Sequence, residues 1–148
     1  MVQRCGVSFY IRKNGDIKST RPLERIGAHA RGFNSESIGI CYEGGLDSEG
    51  HPKDTRTPWQ KHSLRVLILT LLRDYPGCRV CGHRDLSPDL NGNGEIEPEE
   101  WIKACPCFDA EKVLERRVSI EKPDFRKPGF LYPQDISLFI GEIMTGIT

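Results

Sequence analysis

TPWQKHSLRVLILTLLRDYPGCRVCGH, residues 57–83, reads as one helix followed by one strand, and that pair decides the fold class. Thr57 is a good N-cap, Pro58 suits the first helical position, and Gln60 stands three residues after the cap to complete a capping box. Leu64, Leu67, Ile68, Leu71 and Leu72 then recur at helical spacing and form one apolar stripe that faces a core. Tyr75-Pro76-Gly77 stops the helix. Cys78 to His83 follows as a strand. Period-2 alternation puts Arg79, Cys81 and His83 on one face and Cys78 and Val80 on the other.

Outward from this pair the chain adds strands. Val7, Phe9 and Ile11 share one face, Asn14-Gly15 is a type I′ turn signal, and Ile17 lies on the return strand. Ser37 to Tyr42 is a short apolar strand that ends at Glu43-Gly44-Gly45. Asp109 can cap a short helix carrying Val113, Leu114 and Arg117. Residues 121–133 hold Pro123, Pro128 and Pro133 and read as a linker-like loop, and 134–145 read as a last helix that Gly141 weakens. The expectation is an α/β domain, a mixed central β-sheet flanked by helices. It spans 1–120, and 121–148 is a tail to which no role is assigned.

Lys+Arg and Asp+Glu both number 21, and this balance argues against a general nucleic-acid binder or a membrane-surface protein. No apolar run approaches the roughly 18 residues of a membrane span. The opening MVQRCGVSF lacks the apolar segment of a secretory signal, so the chain is expected in the cytoplasm as synthesised. In a reducing compartment, cysteines near histidine are more often metal or packing residues than disulfides.

The chemistry concentrates in GHRDLSPDLNGNGEIEPEEWIKACPCFD, residues 82–109. Its centre fits the calcium-loop template, with Asp89, Asn91 and Asn93 at loop positions 1, 3 and 5 and Gly94 at the sharp turn. Glu95 would offer its carbonyl, Glu97 a water-mediated contact and Glu100 the bidentate carboxylate to Ca2+. The bland alternative is an acidic turn without an ion. On the flanks, His83 and Cys105 could share one borderline-soft ion such as Zn2+, with Lys103 close enough to place a cation beside an oxyanion. Otherwise His83 is a strand-end histidine and Cys105 a small buried residue. Cys78, Cys81, Cys105 and Cys107 permit a zinc ribbon by spacing, but Cys-x-Cys is a poor second knuckle. His29, in the compact loop GAHARGFN, is either solvated or part of a cleft wall.

Taken in order, GVSFYIRKNGDI, RPLERIGAHARGFNSESIGICYEGG, the 57–72 helix, GHRD and KACPCFD resemble the zinc-dependent type 2 N-acetylmuramoyl-L-alanine amidases. These share the peptidoglycan-recognition-protein fold, and the resemblance is greatest to the small phage-lysozyme amidases. It implies zinc ligands at His83 and Cys105, a catalytic role for Lys103, and a substrate cleft lined by His29 and Asn34. The implied reaction is attack of a zinc-activated water on the amide between muramic acid and L-alanine of peptidoglycan, at the cell wall after release. Residues 89–100 look like an insertion, and calcium would order the connection from His83 to Cys105.

The family also carries a zinc-ligand histidine on a strand upstream of the hairpin, and a tyrosine where this chain has Val7. The chain is expected to start after that strand, which leaves neighbouring strand edges open. Three readings follow: a shortened enzyme, a metal site completed by His29 or Cys81, or a non-catalytic module that binds peptidoglycan or a protein.

Overall fold

The computed structural model describes residues 6–114 and the backbone of 137–143. Its strands are β1 (Phe9–Ile11), β2 (Ile17–Ser19), β3 (Ser37–Glu43), β4 (Arg79–Gly82) and β5 (Ser137–Ile143), and its α-helix is α1 (Pro58–Asp74). They form one sheet in the order β2-β1-β3-β5-β4. The β1–β2 pair is antiparallel and the remaining pairs are parallel, so the sheet is mixed as expected. Among the described residues α1 is the one α-helix, and short 3-10 turns at Arg84–Leu86, Pro98–Glu100 and Glu111–Leu114 complete the list of helical elements.

The core lies between α1 and one face of β3. Leu64, Leu67, Ile68 and Leu71 of the helix pack with Ile38, Ile40, Tyr42, Ile11 and Phe108. The stripe predicted from the leucine spacing is the buried stripe. The capping box is also present: Thr57 Oγ1 accepts from the Gln60 amide at 3.1 Å and Gln60 Oε1 accepts from the Thr57 amide at 2.9 Å.

Gln60 does more than close that box. It is wholly buried, and its Nε2 donates to the carbonyls of Glu43 (2.9 Å) and Ile11 (3.3 Å). One side chain therefore satisfies the start of the helix and the ends of two strands. Gln60→Leu keeps the volume but takes the partner from one buried and two part-buried backbone groups, at up to about 1–3 kcal/mol each. Allowing for water entry, the net loss should be about 2–4 kcal/mol. Urea unfolding checks this, and a loss below ~0.5 kcal/mol would remove Gln60 from the role.

Two expectations are corrected. The hairpin connection is longer than a two-residue type I′ turn, because Arg12 N–H bonds to Asp16 O at 2.9 Å and Gly15 N–H to Arg12 O at 2.8 Å. Gly15 is left-handed (φ 91°) but Asn14 is not, as in a type I turn closed by a glycine bulge. Asn14 instead accepts from the Asp16 amide at 3.0 Å.

The second correction is larger. Part of the segment read as a last helix, 137–143, is strand β5. It pairs with β3 over seven residues, Ser37↔Ser137 to Glu43↔Ile143, and with β4 from Arg79↔Ser137 to Gly82↔Ile140. Gly141 disfavours a helix, and the facing edges of β3 and β4 offer backbone groups that need partners. Tertiary pairing thus overrides a weak helical pattern. The sheet crosses the expected boundary at 120/121, and β5 joins β3 to β4.

Candidate active site

Strand β3 sends Ile38, Ile40 and Tyr42 into the α1 core. On its other face Gly39 meets His29, and a Cβ built at Gly39 would lie 2.7 Å from the His29 ring. A Cβ at Gly27 would collide with the same ring. Two glycines therefore make the slot in which His29 sits. Its Nδ1 lies 3.2 Å from the Gly6 carbonyl and its Nε2 2.7 Å from Ser37 Oγ. Asn34 holds the loop, its Oδ1 accepting from the amides of His29 and Ala30, both at 2.8 Å.

This network fixes a proton competition. A carbonyl only accepts, so the Gly6 contact needs a proton on Nδ1. The Ser37 hydroxyl has one proton and two acceptors at 2.7 Å, the His29 Nε2 and the Phe33 carbonyl. Burial lowers the His29 pKa, the Gly6 carbonyl pulls it back up, and Arg21 lowers it again; the net is below the usual histidine value. The neutral ring is the favoured state, and which of its nitrogens carries the proton sets whether Ser37 donates to Nε2 or to the Phe33 carbonyl.

His83 follows β4 directly, in helical conformation at the start of the 84–86 turn rather than in the strand itself. The Cys105 backbone meets the residue that follows His83: Arg84 N–H donates to the Cys105 carbonyl at 2.9 Å. A Cβ at Gly82 would lie 2.5 Å from Pro106 Cδ, so the end of β4 is in close contact with the Cys-Pro-Cys segment. That segment is pinned to the core from behind, where the Tyr42 hydroxyl donates to the Pro106 carbonyl at 2.8 Å. Asp85 Oδ2 accepts from the Gly82 amide at 2.6 Å, and the Arg84 guanidinium lies 4.5 Å from the Trp101 ring centre.

Burial lowers the His83 pKa, and the charges of Lys103 and His29 lower it further. His83, Lys103 and His29 therefore share one electrostatic neighbourhood. Imidazole and thiolate are donor types that zinc takes, and Cys105 is buried. Among the described residues no group of three or more His, Cys, Asp or Glu is gathered for a metal.

The proposed substitutes are otherwise engaged. Both His29 nitrogens face Gly6 and Ser37. Cys81 is buried with Ala30 and Leu86, and burial pushes its thiol up to about 11. Cys78 lies on the core side, also pushed up to about 11 by burial, so the two thiols part as the alternation predicts and form no knuckle.

The 89–100 loop closes on itself. Asp89 accepts from the amides of Gly92 (2.6 Å) and Gly94 (2.8 Å), Asn91 from Asn93, and Asn93 from Glu95. Glu97 accepts from the Asn91 side chain. Glu100 Oε1 accepts from Leu90 (2.7 Å) and Asn91 (3.1 Å), and its Oε2 from Glu97 (3.0 Å). The amide bonds, that of Glu97 first, hold the Glu100 pKa below the usual range. The side-chain oxygens expected to converge on Ca2+ accept from the loop's own N–H groups, and these bonds order the loop without an ion. Excess calcium chelator should leave the melting temperature unchanged, whereas Glu100→Ala should lower it. A calcium-dependent rise in the wild type would restore the ion to the loop.

Sequence reasoning missed Ser37 and the two glycines of the His29 slot. Gly39 carried a signal, since a glycine inside an apolar strand marks close approach by another group.

The sequence model of the N-acetylmuramoyl-L-alanine amidase family matches residues 1–100. An uncharacterized protein of Haemophilus influenzae is 48% identical over 98 residues, covering 65% of this chain and 83% of its own. The endolysin of Klebsiella phage KP32 is 34% identical over 111 residues, 75% of this chain and 64% of the endolysin. The solved endolysin amidase LysCS of Clostridium intestinale URNW is 38% identical over 48% of this chain and 43% of that one, with a TM-score of 0.43. The family match takes in the hairpin, β3, α1, β4 and His83, and the chain belongs to the N-acetylmuramoyl-L-alanine amidase family.

Proposed function

We propose that this chain hydrolyses the amide between N-acetylmuramic acid and L-alanine in peptidoglycan, acting at the cell wall after release. The observation that supports this reading is the Arg84–Cys105 backbone bond, which ties the turn after His83 to the Cys105 backbone, with the Lys103 charge acting on His83. His83 and Cys105 would hold zinc, which supplies a Lewis acid for the carbonyl and a water of lowered pKa. Lys103 places a cation where negative charge develops on the substrate carbonyl oxygen. His29, fixed in its glycine slot, and Asn34, which shapes the loop before β3, form the wall against which the muramoyl peptide lies.

The second reading is a module that binds wall peptide or a protein without cleaving. The two-donor set among the described residues is what favours it. Metal content and muropeptide release decide between them, measured on the wild type, His83→Ala and Cys105→Ala. The enzyme reading expects near-stoichiometric zinc and released peptide in the wild type, and loss of both in either variant. Release that survives both substitutions would overturn the site, and wall sedimentation without any release would establish the binding module.

A further inference from the structure

Strand β4 ends at Gly82, and the chain passes at once into the 84–86 turn with His83 at its start. The His83 side chain makes no cap bond to that turn. The closure comes from Asp85, whose Oδ2 accepts from the Gly82 amide at 2.6 Å. Gly82 is buried, and a carboxylate is a strong acceptor for such an N–H. The bond closes a ring of four residues, Gly82 to Asp85, and the His83 backbone lies within it.

The other carboxylate oxygen faces the following residue. Asp85 Oδ1 lies 3.7 Å from Arg84 Nε, and the Arg84 and Asp85 side chains are 16% and 26% exposed. The Arg84 guanidinium lies over the Trp101 ring, and the Arg84 amide donates to the Cys105 carbonyl. Trp101 and Cys105 bracket Lys103 in the sequence. One carboxylate thus ties the end of β4 on one side and, on the other, the residue docked on the Lys103 segment. Position 82 suits this arrangement. A Cβ there would lie 3.2 Å from Asp85 Oδ2 and 2.5 Å from Pro106 Cδ, so glycine lets the carboxylate and the Cys-Pro-Cys segment close on the same strand end.

We infer that Asp85 is a positioning residue, which fixes the backbone that carries His83 and aligns it with the segment that carries Lys103 and Cys105. The role in binding rests on the zinc site proposed above, whereas the placement of the turn does not need the metal. Zinc–donor distances hold to about 0.2 Å, so a turn that rocks by more than this loses the geometry. Asp85 acts here through its neighbours rather than as a donor.

Asp85→Ala and Asp85→Asn in the full chain test this. Asparagine keeps an oxygen for the Gly82 amide and gives up the charge. In the metal-free protein, amide hydrogen exchange at Gly82 and Arg84 should quicken at least ~10-fold in Asp85→Ala and less than ~3-fold in Asp85→Asn. Zinc affinity, read by competition against a chelator, should fall about 10- to 100-fold in Asp85→Ala, with most of it restored in Asp85→Asn. Ser63→Ala removes the 2.6 Å bond from Ser63 Oγ to the Gly15 carbonyl, at the contact of α1 with the hairpin, and should bind zinc as the wild type does. Unchanged exchange at both amides in Asp85→Ala would overturn the positioning role. Equal zinc loss in Asp85→Asn and Asp85→Ala would also overturn it by making Asp85 a ligand, and equal loss in Ser63→Ala by making the effect general destabilisation. If alanine unfolds the chain, Asp85→Asn decides alone: retained Gly82 protection and zinc support the role, and loss of either overturns it. A wild type that binds no zinc would overturn the metal reading, and exchange at Gly82 and Arg84 would still decide the placement of the turn.

Discussion

Phe139→Pro should unfold the domain or cost it most of its stability. Strand β5 is the link between β4 and the rest of the sheet: β4 pairs with β5, and β5 pairs with β3. Phe139 stands in register with Gly39 on one side and Cys81 on the other. Proline there removes a ladder N–H from a central strand and forces its ring into the space of a neighbouring chain, the placement sheets tolerate least. The direct cost is about 3 kcal/mol or more, a large part of the ~5–15 kcal/mol that holds a typical domain together. The consequence for the site is specific, because β4 ends at Gly82 and delivers His83. Hydrogen exchange should show β4 amides opening first, while α1 stays protected as long as the chain remains folded. An unchanged urea midpoint with unchanged β4 protection would refute the central placement of β5.

The same strand marks where the sequence was legible and where it was not. Thr57, Pro58 and Gln60 gave the start of α1, and the leucine stripe gave its buried face, because capping and periodicity are local and act over a few residues. Strand β3 was equally clear as a short apolar run that ends at Glu43-Gly44-Gly45. The pairing of 137–143 with β3 is a contact across about a hundred residues, and no local pattern encodes it. Its composition is ambiguous between helix and strand, and the open edges of two other strands decide the matter.

A similar division runs through the site. The residue types of His83, Lys103 and Cys105 suggested a metal chemistry, and the backbone of Arg84, the residue after His83, bonds to that of Cys105. The 89–100 template was read as an ion loop, and its oxygens accept the loop's own N–H groups. Asp, Asn and Glu oxygens that can hold an ion can also accept backbone N–H groups, and Glu100 accepts three. A spacing motif specifies which oxygens can converge, not what they bind. The Gln60 bridge was invisible for the opposite reason. A polar residue at a cap looks complete once its capping box is drawn, and its two carbonyl partners lie on distant strands.

Lys103→Met gives the sharpest test of how the site works, because two independent quantities should move together. In the proposed reaction Lys103 would be the cation beside the reacting carbonyl and would stabilise charge that exists only in the transition state. Its loss should lower kcat by about 100- to 1000-fold with little change in KM and no loss of zinc. The second quantity belongs to the metal-free protein. Burial is the largest cause of the lowered His83 pKa, and the Lys103 charge is the next. Removing that charge should raise the His83 pKa toward its ordinary value without reaching it, since burial and His29 remain. Lys103→Arg keeps the charge and should leave His83 low. NMR titration of the metal-free protein reads this directly and does not depend on activity. If kcat falls while the His83 pKa stays put, Lys103 acts away from His83 and the proposed grouping fails. If the pKa rises while kcat is unchanged, the cation is a neighbour of the metal ligand and not part of the chemistry. Only the joint change supports a lysine that tunes the ligand and steadies the oxyanion from one position.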